Sequence, residues 1–136
     1  MPKLDHVAIK VSDIRDSIAF YTKKLDFKLM FHKVDQEHRE AFAFLELEGG
    51  NLELLQLLDD EGPPVSRVSA EIMKPYCPHL AFATDNLDEE AARLKKQGIA
   101  LLDGPLEIEG SVRWLYFCDP DNNVLEYVQW LSEVED

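Results

Sequence analysis

The spacing of apolar residues predicts that this chain begins with a strand followed by a helix. In LDHVAIKV (Leu4–Val11) apolar and polar residues alternate, with Val7 and Ile9 on one side, which is the pattern of a half-buried β-strand. In DIRDSIAFYTKKL, which starts at Asp13, apolar residues recur every third or fourth position, which predicts a helix capped by Asp13. Strand-like runs then follow at 27–34, 40–47 and 51–58, so the predicted order is β-α-β-β-β.

The second half of the chain repeats this order. Residues 78–84 have a strand pattern, and LDEEAARLKKQ at 87–97 has a helix pattern, with Asn86 as its cap and Gly98 as its stop. Further strands are predicted at 99–108, 112–118 and 124–130. A second β-α-β-β-β set of elements indicates an internal duplication.

A single offset of 73 residues aligns the two halves. It takes His6 to His79 and Glu53 to Glu126. It also matches apolar positions on the third predicted strands, which are Phe42 with Leu115 and Phe44 with Phe117. We therefore expect one domain of the α+β class over 1–136, with modules at about 1–60 and about 76–133 joined by a linker at about 61–75.

Composition and charge restrict the classes of function. The 136 residues are 46% hydrophobic and 30% charged, as in an ordinary soluble protein, and no run approaches the roughly 20 apolar residues of a membrane span. The net charge of −13 disfavours binding to nucleic acid, which needs a basic surface. The chain becomes strand-like almost at once, which leaves no room for a signal peptide and predicts a cytoplasmic protein with reduced Cys77 and Cys118.

A carboxylate, Glu53, interrupts the leucine-rich run NLELLQL. Burying an unpaired carboxylate is costly, so we expect a cation or a proton to neutralise Glu53. Strand alternation puts His6 on the side opposite Val7 and Ile9, and it puts Glu53 on one side with Leu55. In the second half it groups His79 with Ala81 and Glu126 with Val128. If both sheets curl with their helices outside, all four polar side chains point to the concave side.

Two imidazoles and two carboxylates form a donor set that suits a borderline divalent metal such as zinc, nickel, cobalt, iron or manganese. Four protein ligands on a six-coordinate metal leave two positions for water or substrate, which indicates catalysis. The alternative interpretation is a hydrogen-bonded His–Glu ion pair in each module. The repeat favours the metal, because both pairs occur at the same offset.

Other side chains are candidates for contacts with substrate. Lys10 and Arg113 are placed to meet an anionic substrate, although each also suits a solvated surface charge. Trp114, Tyr116 and Trp130 alternate along strands, so they either wall a pocket or pack in the core or a dimer interface.

Three segments together resemble the vicinal oxygen chelate superfamily, which includes glyoxalase I, bleomycin-resistance proteins, extradiol dioxygenases and methylmalonyl-CoA epimerase. The segments are DHVAIKVSDIRDSIAFYTKKLDF, PHLAFATDNLDEEAARLKKQGI and FCDPDNNVLEYVQ. The resemblance covers nearly the whole chain. It implies paired βαβββ modules whose mixed sheets curl into a barrel-like cleft around one metal, and its metal positions fall on His6, Glu53, His79 and Glu126.

The presence of both glutamates is most similar to glyoxalase I, or lactoylglutathione lyase. This resemblance implies a homodimer in which modules of two subunits pair, and a nickel, cobalt or zinc ion, with manganese or iron as further options. It also implies isomerisation of the methylglyoxal–glutathione hemithioacetal to S-lactoylglutathione through an enediolate. Glu126 is the first candidate for the base that moves the proton, and Glu53 is the second.

The chain departs from this resemblance at two positions linked to glutathione. Lys10 and Leu57 occupy sites where glutathione-using bacterial members tend to have Arg and Asn. One alternative is a methylmalonyl-CoA epimerase-like enzyme, which would need a further acid or base, with Glu40 and Glu46 as candidates. The other is a small-molecule binding or resistance protein without catalytic activity.

Overall fold

The computed structural model describes residues 1–58 and 72–131, and the chain divides into two compact units, Met1–Val68 and Ser69–Asp136. Most of the predicted linker at 61–75 lies outside the described residues. The predicted module boundaries therefore stay a prediction, and each unit is described by itself.

The first unit is a four-stranded mixed sheet with one helix against it. Strand β1 pairs in parallel with β4, and the other neighbours are antiparallel, in the order β1-β4-β3-β2. Helix α1 continues directly into a π-helical turn. The elements are β1 (His6–Lys10), α1 (Ile14–Ala19), the π-helical turn (Phe20–Lys24), β2 (Lys28–Asp35), β3 (Glu40–Glu46) and β4 (Asn51–Leu57).

Capping and packing position this helix. The Asp13 side chain accepts hydrogen bonds from the backbone N–H groups of Arg15 and Asp16, as the sequence predicts for an N-cap. The Gln56 side chain accepts a third bond at 2.9 Å from the N–H of Ile14, which attaches the helix to β4. The sheet face under the helix is apolar and buried, with Leu45, Leu52 and Leu54 among its members.

The second unit repeats the sheet, in the order β5-β8-β7-β6. Asn86 caps the helix by accepting from the N–H of Glu89 at 3.1 Å. Gln129 accepts from the N–H of Leu87 at 2.9 Å, which is the bond that Gln56 makes in the first unit. The elements are β5 (His79–Ala83), α2 (Leu87–Lys96), β6 (Leu101–Ile108), β7 (Val112–Cys118) and β8 (Val124–Trp130).

The alignment predicted for the third strands is wrong by one residue. Glu53 lies opposite Phe44 in the first sheet, but Glu126 lies opposite Tyr116 in the second. Leu115 and Phe117 are buried on the helix-covered face and therefore do not correspond to Phe42 and Phe44. The cause is turn length: residues 47–50 join β3 to β4, whereas 119–123 join β7 to β8, and one extra residue exchanges the faces of a strand.

The α+β class and the tandem βαβββ modules are confirmed by these two mixed sheets. The curling of the sheets into a barrel-like cleft stays a prediction. Within residues 1–58 and 72–131, no helix is long and apolar enough to cross a membrane.

Candidate functional site

In each unit one sheet face bears a histidine and a glutamate, and we call it the His–Glu face. In the first unit His6 is on β1, and Glu53 on β4 is in register with Ala8. The Nε2 atom of His6 lies 3.5 Å from Oε1 of Glu53. The His6 side chain is 39% exposed and that of Glu53 is 15% exposed, so this pair is partly open.

The second unit holds its pair more tightly. Glu126 is in register with Ala81, as Glu53 is with Ala8, because β5 and β8 pair in parallel like β1 and β4. His79 Nε2 lies 2.8 Å from Glu126 Oε1, and the two side chains are 22% and 11% exposed. The structure therefore brings each predicted His–Glu pair together within its own unit.

The other nitrogen of each imidazole also faces an acceptor. His6 Nδ1 lies 2.7 Å from a carboxylate oxygen of Asp5, and His79 Nδ1 lies 3.2 Å from the backbone carbonyl oxygen of Tyr76. A neutral imidazole that donates from Nδ1 has an unprotonated Nε2, and this is how histidine ligands of metals are usually oriented. Both histidines thus present Nε2 toward a glutamate oxygen.

Burial affects the acid–base behaviour of Glu126. Its burial raises the pKa of the carboxyl group, while the adjacent imidazole of His79 opposes that shift. Tyr116 beside it has a pKa raised by its own burial and by the charge of Glu126. A contact of 2.8 Å between Nε2 and Oε1 needs a shared proton, and a cation bound to both atoms would replace that proton.

The donor atoms fit a divalent cation in chemistry and in spacing. Two donors each about 2.1 Å from one cation and near a right angle lie about 3 Å apart, close to the 2.8 and 3.5 Å observed. Over 1–58 and 72–131, no three His, Cys, Asp or Glu side chains are grouped to hold a metal. Each unit by itself therefore offers two ligands.

Aromatic rings surround the two pairs differently. In the first unit the His6 ring lies 5.1 Å from that of Phe44, which stacks on Phe31 at 5.0 Å. In the second unit the His79 ring meets Tyr116 edge-on at 5.4 Å, and Tyr116 lies 4.8 Å from Tyr76. The rings next to His6 are therefore phenylalanines without polar groups, whereas those next to His79 are tyrosines with hydroxyl groups.

The predicted substrate-contact residues lie on different faces. Lys10 follows His6 and Ala8 along the same side of β1, which is the His–Glu face. Arg113 belongs to the helix-covered face, where its guanidinium pairs with Asp88 at 2.9 and 3.3 Å and with Glu107 at 3.3 Å. A role for Arg113 in substrate binding is untested, and these contacts give it a structural role.

The remaining candidates are distributed similarly. Trp114 is in register with Val128 and shares the His–Glu face, whereas Trp130 is 57% exposed at the end of β8. Glu40 pairs in register with Leu57 on the His–Glu face of the first unit, and Glu46 forms an ion pair with Lys28 at 3.3 Å.

The sequence interpretation missed three residues that support the histidines. Asp5 was visible as the neighbour of His6, and a carboxylate beside a candidate ligand is a usable signal. Tyr76 and Asp103 share a hydrogen bond of 2.9 Å across 27 positions, and they left no signal in the sequence.

Comparisons with known proteins agree with this fold. Residues 3–127 match the model of the glyoxalase/bleomycin resistance protein/dioxygenase superfamily. A virulence protein of Salmonella typhimurium is 28% identical over 133 residues, which cover 95% of this chain and 85% of that protein. A lactoylglutathione lyase of the same organism is 29% identical, with 93% and 92% covered. The crystal structure of a glyoxalase family protein from Bacillus cereus superimposes with a TM-score of 0.78 at 18% identity, covering 97% of this chain and 96% of that one.

Proposed function

Because the chain belongs to the glyoxalase/bleomycin resistance protein/dioxygenase superfamily, we propose that it is a metal-dependent lyase of the glyoxalase I type. The observation that carries the proposal is the repeated pair: in each unit a histidine Nε2 faces a glutamate oxygen, and Nδ1 faces an acceptor. A solvated surface has no need of this arrangement in two copies. The similarity to a lactoylglutathione lyase supports the same reaction class.

In this proposal His6, Glu53, His79 and Glu126 hold one divalent cation, with nickel, cobalt or zinc as first candidates and manganese or iron as further ones. When bound, the cation stabilises negative charge that develops on neighbouring substrate oxygens. Two units complete the set, and a homodimer in which units of two subunits pair is the proposed assembly.

Glu126 is the proposed base. In the methylglyoxal–glutathione hemithioacetal, the carbon that carries sulfur and hydroxyl also carries the proton to be moved. Glu126 takes this proton and returns it to the adjacent carbonyl carbon, while the hydroxyl proton passes from the oxygen of the first carbon to the oxygen of the second. The product is a thioester with a hydroxyl group on the neighbouring carbon, and no atom is gained or lost. Burial of Glu126 supports this choice, because a carboxylate with a raised pKa accepts a proton more readily. Glu53 is the second candidate.

The sequence departs from the glyoxalase I pattern most clearly at the positions linked to glutathione recognition. Lys10 on the His–Glu face keeps a positive charge but lacks the planar, bidentate geometry of arginine. Leu57 is 42% exposed and offers no hydrogen bond. We therefore expect activity with glutathione adducts to show a raised KM, with the chemical step intact.

The test is isomerisation of the methylglyoxal–glutathione adduct by protein that has been stripped of metal and then given Ni²⁺, Co²⁺ or Zn²⁺. We expect thioester formation that depends on the added metal, together with tight binding of about one metal ion for every two His–Glu pairs. His79→Ala should lose both properties. His38→Ala is the matched control, because His38 is exposed and pairs with Asp35. Wild-type protein that binds none of these metals would overturn the proposal.

A further inference from the structure

Tyr76 joins His79 to Asp103 through two hydrogen bonds. Its backbone carbonyl oxygen lies 3.2 Å from His79 Nδ1, and its hydroxyl donates to a carboxylate oxygen of Asp103 at 2.9 Å. Tyr76 has a φ of 61°, a left-handed conformation that is uncommon for a side chain of this size. Its N–H bonds to the carbonyl of Met73 at 2.8 Å, so the residue ends a tight turn. Such a conformation persists where surrounding contacts fix it.

Asp103 reaches Tyr76 because β6 is irregular at this point. The pairing of β6 with β7 shifts on both sides of Asp103, which lies opposite Tyr116 and thus on the His–Glu face. The next residue, Gly104, has a φ of 100°, and a Cβ there would lie 3.0 Å from the backbone of both Leu115 and Trp114. The shift therefore depends on glycine, and its effect is to present the Asp103 carboxylate to the Tyr76 hydroxyl.

Aromatic packing adds a second constraint on the same turn. The Tyr76 ring lies 4.8 Å from Tyr116, whose ring in turn meets His79 at 5.4 Å. The ring and the hydroxyl of Tyr76 are both engaged, so its backbone carbonyl has a defined direction. The first unit uses a simpler arrangement, because His6 Nδ1 is held directly by Asp5, whose side chain is 86% exposed.

On the premise of the proposed function, we propose that Tyr76 and Asp103 are positioning residues for His79. The hydrogen bond between their side chains fixes the turn at Tyr76, and the Tyr76 carbonyl keeps the proton of His79 on Nδ1. Nε2 is then presented to the cation beside Glu126 without a cost of reorientation on binding. Neither side chain contacts the cation in this proposal.

The experiment combines two measurements on Tyr76→Phe, which removes only the hydroxyl, and on Asp103→Ala, which removes the acceptor. The first is the ¹H NMR signal of the His79 Nδ1–H group in metal-free protein, at a pH low enough that both ring nitrogens carry a proton. Its chemical shift and exchange rate report the hydrogen bond to the Tyr76 carbonyl. The second is the dissociation constant for Co²⁺ and for Zn²⁺. We expect both variants to move this signal upfield, to speed its exchange with solvent and to weaken metal binding about tenfold. Asp103→Asn retains an acceptor oxygen and should give an intermediate result.

Tyr127→Phe is the matched control, because it removes the same atom from a residue buried on the opposite face of β8. It should change neither the Nδ1–H signal nor the metal affinity. Equal effects from Tyr127→Phe and Tyr76→Phe would overturn the proposal, and so would a Tyr76→Phe variant with an unchanged His79 Nδ1–H signal. Because this signal is measured without metal, a wild-type protein that binds no metal refutes the proposed function while the positioning role is still decided by the spectra.

Discussion

The two His–Glu pairs occupy equivalent places in one repeated sheet, but they are held by different surroundings. In the first unit the contact is 3.5 Å and the histidine is 39% exposed, whereas in the second unit the values are 2.8 Å and 22%. His6 depends on a neighbouring exposed carboxylate, and His79 on a backbone carbonyl in a fixed turn. The repeated backbone therefore sets where the candidate ligands occur, and residues outside the repeat set how firmly each histidine is held.

This difference suggests a division of roles between two chemically identical glutamates. Burial raises the pKa of Glu126, which suits the proposed roles of this residue as ligand and as base. Glu53 lies between the aromatic Phe44 in register on one side and the partly open His6 on the other. We therefore expect the second unit to supply the acid–base chemistry and the first unit to supply mainly binding.

The largest expected effect comes from exchanging these two glutamates for glutamine, one at a time. Glu126→Gln should lower kcat about 1,000-fold, because an amide cannot accept the substrate proton. Glu53→Gln should lower kcat less and weaken metal binding more. Steady-state kinetics with metal content measured on each sample would distinguish them. A larger loss of kcat in Glu53→Gln would reverse the assignment of the base.

The second prediction concerns whether the two units of the proposed site come from one chain or from two. His6→Ala and His79→Ala should each be nearly inactive alone. If sites form across a homodimer, a mixed dimer has one site with both substitutions and one intact site, so subunit exchange in an equal mixture should restore about a quarter of wild-type activity. Assay before and after exchange is the measurement. No recovery, with exchange verified by mass spectrometry, would place each site within one chain.

A third prediction compares two glycines, one in each unit. Gly104→Ala should lower the free energy of unfolding by about 2–3 kcal/mol, because its φ is positive and its Cβ would meet backbone at 3.0 Å. Gly49→Ala, at a φ of 83° with open space around it, should cost only about 1 kcal/mol. Urea unfolding of both variants is the measurement. Equal losses would show that the β6 irregularity tolerates a side chain.

The smallest expected effect concerns the ion pair between Asp88 and Arg113, which lowers the pKa of Asp88. A carboxyl group with a lowered pKa in the folded state stabilises the protein above its unfolded pKa and loses this contribution as pH falls through the folded value. Asp88→Asn should therefore slightly lower Tm at about pH 7, and this difference should shrink at about pH 3, toward the lowered pKa of Asp88. Thermal unfolding at both pH values tests this. A Tm difference that persists in acid would assign the loss to helix capping or packing.

Most of the fold could be predicted from the sequence because the β-α-β-β-β pattern occurs twice, and each copy supports the assignment of the other. The parallel pairs β1–β4 and β5–β8 keep the same offset, so His6, His79, Glu53 and Glu126 were placed correctly on their strands. The superfamily was identified from three segments that resemble it, and it is confirmed by the family match. The third strands were aligned one residue off, since alternating apolar residues cannot reveal an added residue in a turn.

The contacts that orient the histidines were harder to predict from the sequence. The bond between Tyr76 and Asp103 depends on a left-handed backbone and on an irregular strand, and neither property follows from hydrophobic periodicity. Arg113 shows the same limit, because strand alternation places it correctly only when the register of β7 is known. Sequence patterns thus assigned the candidate ligands to sheet faces, whereas the contacts that orient them follow only from the three-dimensional structure.

The extra residue between β7 and β8 has a practical consequence for protein engineering. Ala8 opposes Glu53 and Ala81 opposes Glu126, so the extra residue does not change the register of the β1–β4 and β5–β8 pairs, which bear the four candidate ligands. A chimaera that replaces β3 with β7 by the 73-residue offset would invert the transplanted strand and bury Tyr116 where Ala43 should be, whereas an exchange at the strand bounds puts Tyr116 opposite Glu53. Transplanting the whole hairpin together with its own turn, 47–50 or 119–123, avoids the inversion, and such hybrids are the natural starting point for symmetric versions of this scaffold.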